Sequence, residues 1–181
     1  MSPPWRVMLL SDGSVTRHLQ ILSGLDIEVD CLSMRRLSDA ELAEAHDRLP
    51  DVSLIDGPVV ERQVVLRRTC RSKQALVYAA SWWNADKVDT YLRDRSKPIW
   101  ASLSEERLEL HRQLCEVRYG RSPELEAAEL LGHPGPFWAR HYVFYHDGAP
   151  LTVIYEVFST ALADYLGPVF AGDGRGGGGG V

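Results

Sequence analysis

The chain has 181 residues, with 20 lysines and arginines against 25 aspartates and glutamates, for a net charge of -5. That length suits one domain with a core large enough to need no staples, and an acidic chain without a basic cluster is a poor partner for nucleic acid or an anionic membrane. Three cysteines without CxxC spacing, no signal-type apolar run and no bilayer-length apolar stretch point to reduced thiols in a soluble, cytoplasmic protein.

In chain order, Ser11-Asp12-Gly13-Ser14 predicts a turn and then a short helix, capped by Ser14 or Asp12 and ended by Gly24. Residues 27–34 alternate as a strand with Ile27, Val29 and Cys31 on one face. Ser38 and Glu41 have capping-box spacing, and the polar run to Arg48 reads as a surface helix stopped by Pro50. Gly57-Pro58 opens a strand over 59–68. A loop around Arg71-Ser72-Lys73 returns the chain into a strand over 75–83, which makes a hairpin.

Asn84 caps a helix carrying Val88, Tyr91 and Leu92, ended before Pro98. A second capping box at 102–105 opens a longer amphipathic helix to about Val117, with Leu103, Leu110, Leu114 and Val117 as its inward stripe. Residues 125–131 form a helical turn or two, and a last short helix lies near 161–166. Between them, FWARHYVFYHDGAPLTVIYEVFS (137–159) is a hairpin turning at Asp147-Gly148. The glycine-rich end, 171–181, is expected to be a disordered tail behind a single domain over 1–170. Strands clustered in hairpins beside several helices predict an α+β fold with a largely antiparallel sheet.

The strands at 59–68 and 137–158 carry charges on apolar faces. Glu156 shares a face with Thr152, Ile154 and Phe158, while Leu151, Val153, Tyr155 and Val157 make the other face equally apolar. A carboxylate in such a strand must be paired, neutralised or put to use. Arg62 stands with Val64 and Leu66, and Arg140 with Trp138, Tyr142 and Phe144. Two guanidiniums and a carboxylate on inward faces suit a closed pocket for a small anionic ligand. A purely structural Arg–Glu pair is the competing reading of the same pattern. The six histidines show no HxH or HExxH spacing, and His141 and His146 face opposite sides of a strand, so no metal site is expected.

LLSDGSVTRHLQ (9–20), ERQVVLR, YAASWWN and GPFWARHYVFYHDGAPLTVIYEVFS together resemble the chorismate pyruvate-lyase family, in its cyanobacterial and plastid branch. The resemblance implies an antiparallel sheet with helices packed on it and a buried ligand pocket. It also implies a cofactor-free lyase that converts chorismate to 4-hydroxybenzoate and pyruvate, expected to supply quinone biosynthesis. By that likeness Glu156 is the acid/base group and Arg62 holds a carboxylate. By the same likeness Ser81 stands where another branch of the family has a second arginine, so either Arg140 or another cation takes that role or the ligand is held differently. Alternatively, Ser81 is a small residue packed behind Trp83. Thr16 and Arg17 fall where the pocket mouth is expected. The expected partner is a small-molecule substrate, and the protein is read as a monomer or weak homo-oligomer. Two other functions fit the same pocket: a non-catalytic binder of aromatic carboxylates, and a related lyase acting on another enolpyruvyl compound.

Overall fold

The structure, a computed structural model, describes residues 1–69, 73–92, 99, 103, 109–122, 125–126 and 129–170. The capping box at 102–105, the Arg71-Ser72 part of the loop, Pro98 itself and the tail at 171–181 lie outside the described residues.

Six strands form one antiparallel sheet: β1 (Ile27–Arg36), β2 (Val59–Arg68), β3 (Ala75–Asn84), β4 (Leu110–Gly120), β5 (Phe137–His146) and β6 (Ala149–Phe158), in the order β1-β2-β3-β6-β5-β4. The β5–β6 hairpin closes through Asp147 (φ 50°) and Gly148 (φ 75°). Two consecutive positive φ angles match the right-handed twist of the flanking strands, which is why an Asp-Gly pair sits there.

The central strands are apolar on both faces because both faces are covered. On one side lie α1 (Pro3–Leu10) and α2 (Val15–Ser23), whose Trp5, Met8, Leu9 and Leu19 pack with Leu66, Val77, Trp138 and Phe158. On the other, α3 (Asp39–Arg48) and the 3-10 turn Pro50–Leu54 bring Ala45 and Val52 against Val65, Trp82, Val143 and Val153. The caps are as expected: Ser14 on α2 with Gly24 left-handed at its end, a full Ser38/Glu41 capping box on α3, and Asn84 on α4 (Ala85–Tyr91). A 3-10 turn, Thr160–Leu162, runs into α5 (Ala163–Leu166). Among the described residues, no helix is long and apolar enough to cross a membrane.

Two elements differ from expectation. The helix predicted to reach Val117 is instead strand β4 from Leu110. Leu110, Leu114 and Val117 have helical i, i+4, i+7 spacing, but a bulge between Leu114 and Glu116 also puts this set on one face of a strand. The ladder confirms it: Leu114 pairs with Tyr142 and Val117 with Arg140, neighbours on one face of β5. Helix α1 was not anticipated, although Pro3-Pro4 is a good helix start.

Candidate active site

The chemistry gathers on the α1/α2 face, where strand register does the placing. Val64, Ala79, Glu156, Arg140 and Val117 lie level across five strands, and Arg62, Ser81, Ile154, Tyr142 and Leu114 form the next row on the same face. Arg62 and Glu156 are separated laterally by β3 alone, about 10 Å across two strand spacings. On β3 the residues between them are Ala79 and Ser81, both small. The result is a trough with arginine on one wall, glutamate on the other and little side chain on the floor.

Glu156 is 2 % exposed. Its Oε2 accepts from Arg140 Nε at 2.7 Å and its Oε1 from the Tyr142 hydroxyl at 3.0 Å. A carboxylate offers about four lone-pair directions, so among the described residues two remain for a ligand. Burial, and then the adjacent Glu156 charge, push the Tyr142 phenol far above its ordinary range, so it stays a neutral donor.

Arg140 is committed by its geometry. Beyond Glu156, its Nη1 donates to the carbonyls of Met8 (3.1 Å) and Leu9 (2.8 Å), the last-turn acceptors that α1 leaves without intrahelical partners. Burial alone would lower its pKa; the Glu156 and Tyr142 side chains outweigh that and raise it. Its Nη2 is buried without a hydrogen-bond partner among the described residues, yet Arg140 does not line the cavity that Glu156 faces.

That cavity measures about 50 Å³ and is lined by Arg62, Glu156, Thr16, Arg112, Tyr142 and Ile154 among others. Arg62 is 1 % exposed, and burial lowers its pKa, with Cys31 opposing. Ser81 does not line the cavity: its Oγ accepts the Trp83 indole N–H at 2.9 Å, so it packs with Trp83. Thr16 lines the wall, whereas Arg17 is exposed.

Two residues here had no place in the sequence reading. Arg112 on β4 donates from Nη1 to the carbonyls of Gly13 (3.0 Å) and Ser11 (3.3 Å), and its guanidinium stands 4.4 Å from the Tyr142 ring centre. It was invisible because 110–117 reads as a helix. His18 on α2 is the second: burial, then Arg140 and Arg112, lower its pKa against the pull of Glu156. The signal for it was present, since a helix that covers a charged sheet face must present something to those charges.

A larger cavity of about 320 Å³ lies on the opposite face, lined by Glu61, Gln63, Tyr78, Trp82, His141 and Tyr155 among others. It is larger than the cavity that Glu156 faces, though smaller than a third cavity, of about 470 Å³, lined by Arg67, Lys73 and His133 among others. Neither Arg62 nor Glu156 lines the opposite-face cavity, and convergent buried charge is the better guide to chemistry.

The family model for the Rv2949c-like chorismate pyruvate-lyases matches residues 9–166. The chain belongs to that family. It is 32% identical over 161 residues to uncharacterized protein ycf21 of Porphyra purpurea, covering 89% of this chain and 83% of that protein. The ycf21 protein of Cyanophora paradoxa is 30% identical over 158 residues, covering 87% of this chain and 78% of that one. Among solved structures, the effector domain of PhnF from Mycobacterium smegmatis superposes with a TM-score of 0.61 at 18% identity, covering 84% of this chain and 92% of that one. The C-terminal domain of Yurk from Bacillus subtilis gives 0.52 at 12% identity, over 73% and 90%. The α+β, chorismate-lyase-type fold is thus shared with regulator effector domains.

Proposed function

We propose that the protein is a chorismate lyase, releasing pyruvate from chorismate to leave 4-hydroxybenzoate, a precursor for prenylated quinones. The observation that carries this reading is Glu156: buried, oriented by Arg140 and Tyr142, and facing a cavity walled by Arg62 and Arg112.

In the reaction, a base removes the hydrogen at ring carbon 4 and that electron pair forms the new ring double bond. The C3–O bond breaks with its electrons going to the enolpyruvyl oxygen, and the enol takes a proton on carbon to become pyruvate. No electrons leave or enter, and aromatisation supplies the driving force. The protein therefore has to hold a dianion, exclude water and move one proton. Glu156 serves as the acid/base group. Arg62 clamps one carboxylate, and Arg112 takes the role of second cation, since Arg140 is spent on Glu156 and α1. Ser81 contributes packing rather than charge. A cavity of about 50 Å³ is smaller than typical small-molecule sites of roughly 300–1,000 Å³, so the reading requires it to widen around the ligand.

The test is pyruvate release from chorismate by the purified chain. Turnover above the uncatalysed rate is expected, and Glu156→Gln should lower kcat by about 10²-fold or more while keeping 4-hydroxybenzoate affinity. The likeness to effector domains favours one other reading, a non-catalytic binder of aromatic carboxylates. Folded protein that binds 4-hydroxybenzoate in calorimetry yet releases no pyruvate would establish the binder and overturn the lyase. Pyruvate released only from a different enolpyruvyl compound would reassign the substrate.

A further inference from the structure

The face opposite Glu156 assembles a second set of reactive side chains from three elements. Cys115 is the residue at the β4 bulge, between Leu114 and Glu116. His141, 8 % exposed, lies on β5 directly across from Glu116. Asp51 belongs to the 3-10 turn Pro50–Leu54, which packs on this face. His141 Nε2 stands 2.8 Å from Asp51 Oδ2, and the ligating atoms of Asp51, Cys115 and His141 all lie within 4.8 Å of one another. On the other side of the imidazole, Glu116 Oε2 is 3.9 Å from Nδ1.

We propose that Asp51, Cys115 and His141 bind one divalent cation of the zinc class. The donor set is the first argument. Thiolate, imidazole and carboxylate together suit zinc and exclude the all-oxygen preferences of magnesium and calcium. Spacing is the second. Bonds of about 2.0–2.3 Å at tetrahedral angles put donor atoms roughly 3.3–3.6 Å apart, so the observed set needs only small rotamer changes to close on an ion. Support is the third: two ligands ride on paired strands, and Glu116 is placed to receive the Nδ1–H of a histidine that ligates through Nε2, the usual outer partner of a metal-bound imidazole. The bulge supplies the position, because an extra residue in one strand re-aims a side chain without breaking the ladder around it.

On binding, the Cys115 thiol gives its proton to solvent, the imidazole enters neutral and the aspartate ionised, so the ion's two charges are balanced and nothing is oxidised or reduced. Three protein ligands leave one tetrahedral position, and Cys115 is exposed, so water fills it. The ion would tie the 3-10 turn to the β4–β5 edge.

The experiment uses the full chain, stripped with chelator and titrated with Co(II). One equivalent should bind with a thiolate-to-cobalt charge-transfer absorption, be displaced by Zn(II), and raise the melting temperature. Cys115→Ser should abolish that absorption and weaken binding by about tenfold or more; Asp51→Asn should keep the absorption and weaken binding similarly; Cys31→Ser should change neither. No charge-transfer band in folded wild-type protein, or a band that survives Cys115→Ser, overturns the site. Should Cys115→Ser fail to fold, Asp51→Asn decides: unchanged Co(II) affinity in that variant refutes the proposal.

Discussion

Arg140 is the residue whose removal should be most costly, and the structure lets the cost be built up. Its side chain is 1% exposed and that of Glu156 is 3%. Arg140→Met keeps most of the stem volume but leaves the buried carboxylate with, among the described residues, the Tyr142 hydroxyl alone, and it returns two α1 carbonyls to the unsatisfied state. Breaking a buried ion pair from one side costs about 3–5 kcal/mol, which is a large share of a typical domain stability of about 5–15 kcal/mol. Glu156→Gln is milder, about 1–3 kcal/mol, because Arg140 Nη1 keeps its carbonyls. The double variant should cost less than the two single variants added together, by about 1–3 kcal/mol, since the charge that the first change exposes is removed by the second. Urea denaturation of the four proteins measures this. Additive losses, or an Arg140→Met cost below about 1 kcal/mol, would show that the pair is not an electrostatic anchor.

Arg112→Gln should weaken 4-hydroxybenzoate or chorismate binding by about tenfold or more in calorimetry, with a smaller loss of stability than Arg140→Met because Arg112 is only half-buried; unchanged affinity would remove it as the second cation. His18 gives a pH dependence. Its folded pKa lies below the unfolded value of about 6.5, so its contribution to stability is complete above that value and is lost as pH falls through the folded pKa. Urea midpoints should therefore drop between about pH 7 and about pH 5 by less in His18→Gln than in wild type, and an equal or larger drop in the variant would contradict the assignment.

Much of the site was legible because strand parity is a strict rule. Once β2, β5 and β6 are recognised from their alternation, Arg62, Arg140 and Glu156 must all point to inward faces, and they do. What parity cannot give is which of two inward faces is meant, or what stands across from a residue. Parity thus makes Arg140 a candidate ligand-holding cation, whereas helix α1 arrives to occupy it, and nothing in FWARHYVF encodes that helix. Arg112 was lost to an ambiguity of period: a bulged strand and an amphipathic helix place 110, 114 and 117 identically. The Asp51–Cys115–His141 cluster has no spacing signature, since its members are brought together by a turn, a bulge and a neighbouring strand. Ser81 behaved as its size suggests, filling space beneath Trp83.

The floor of the trough provides the sharpest separation between a ligand site and a structural ion pair. If the charges exist only to stabilise the sheet, Ala79 is small merely because Arg62 and Glu156 need room, and a larger residue there should strain the core. If the trough is a site, the space above Ala79 belongs to the ligand. Ala79 is 9 % exposed, lies level with Glu156 and lines the cavity. Ala79→Leu adds three carbons into that space. In a filled core, overpacking costs about 1–3 kcal/mol, whereas a trough that widens around a ligand also widens around the leucine, and the loss should fall below that range. Ligand affinity should then fall by more than about tenfold, because the ring and the leucine compete for the same volume. Full affinity in a folded Ala79→Leu protein would place the ligand elsewhere, and the 320 Å³ cavity on the opposite face would be where to look next.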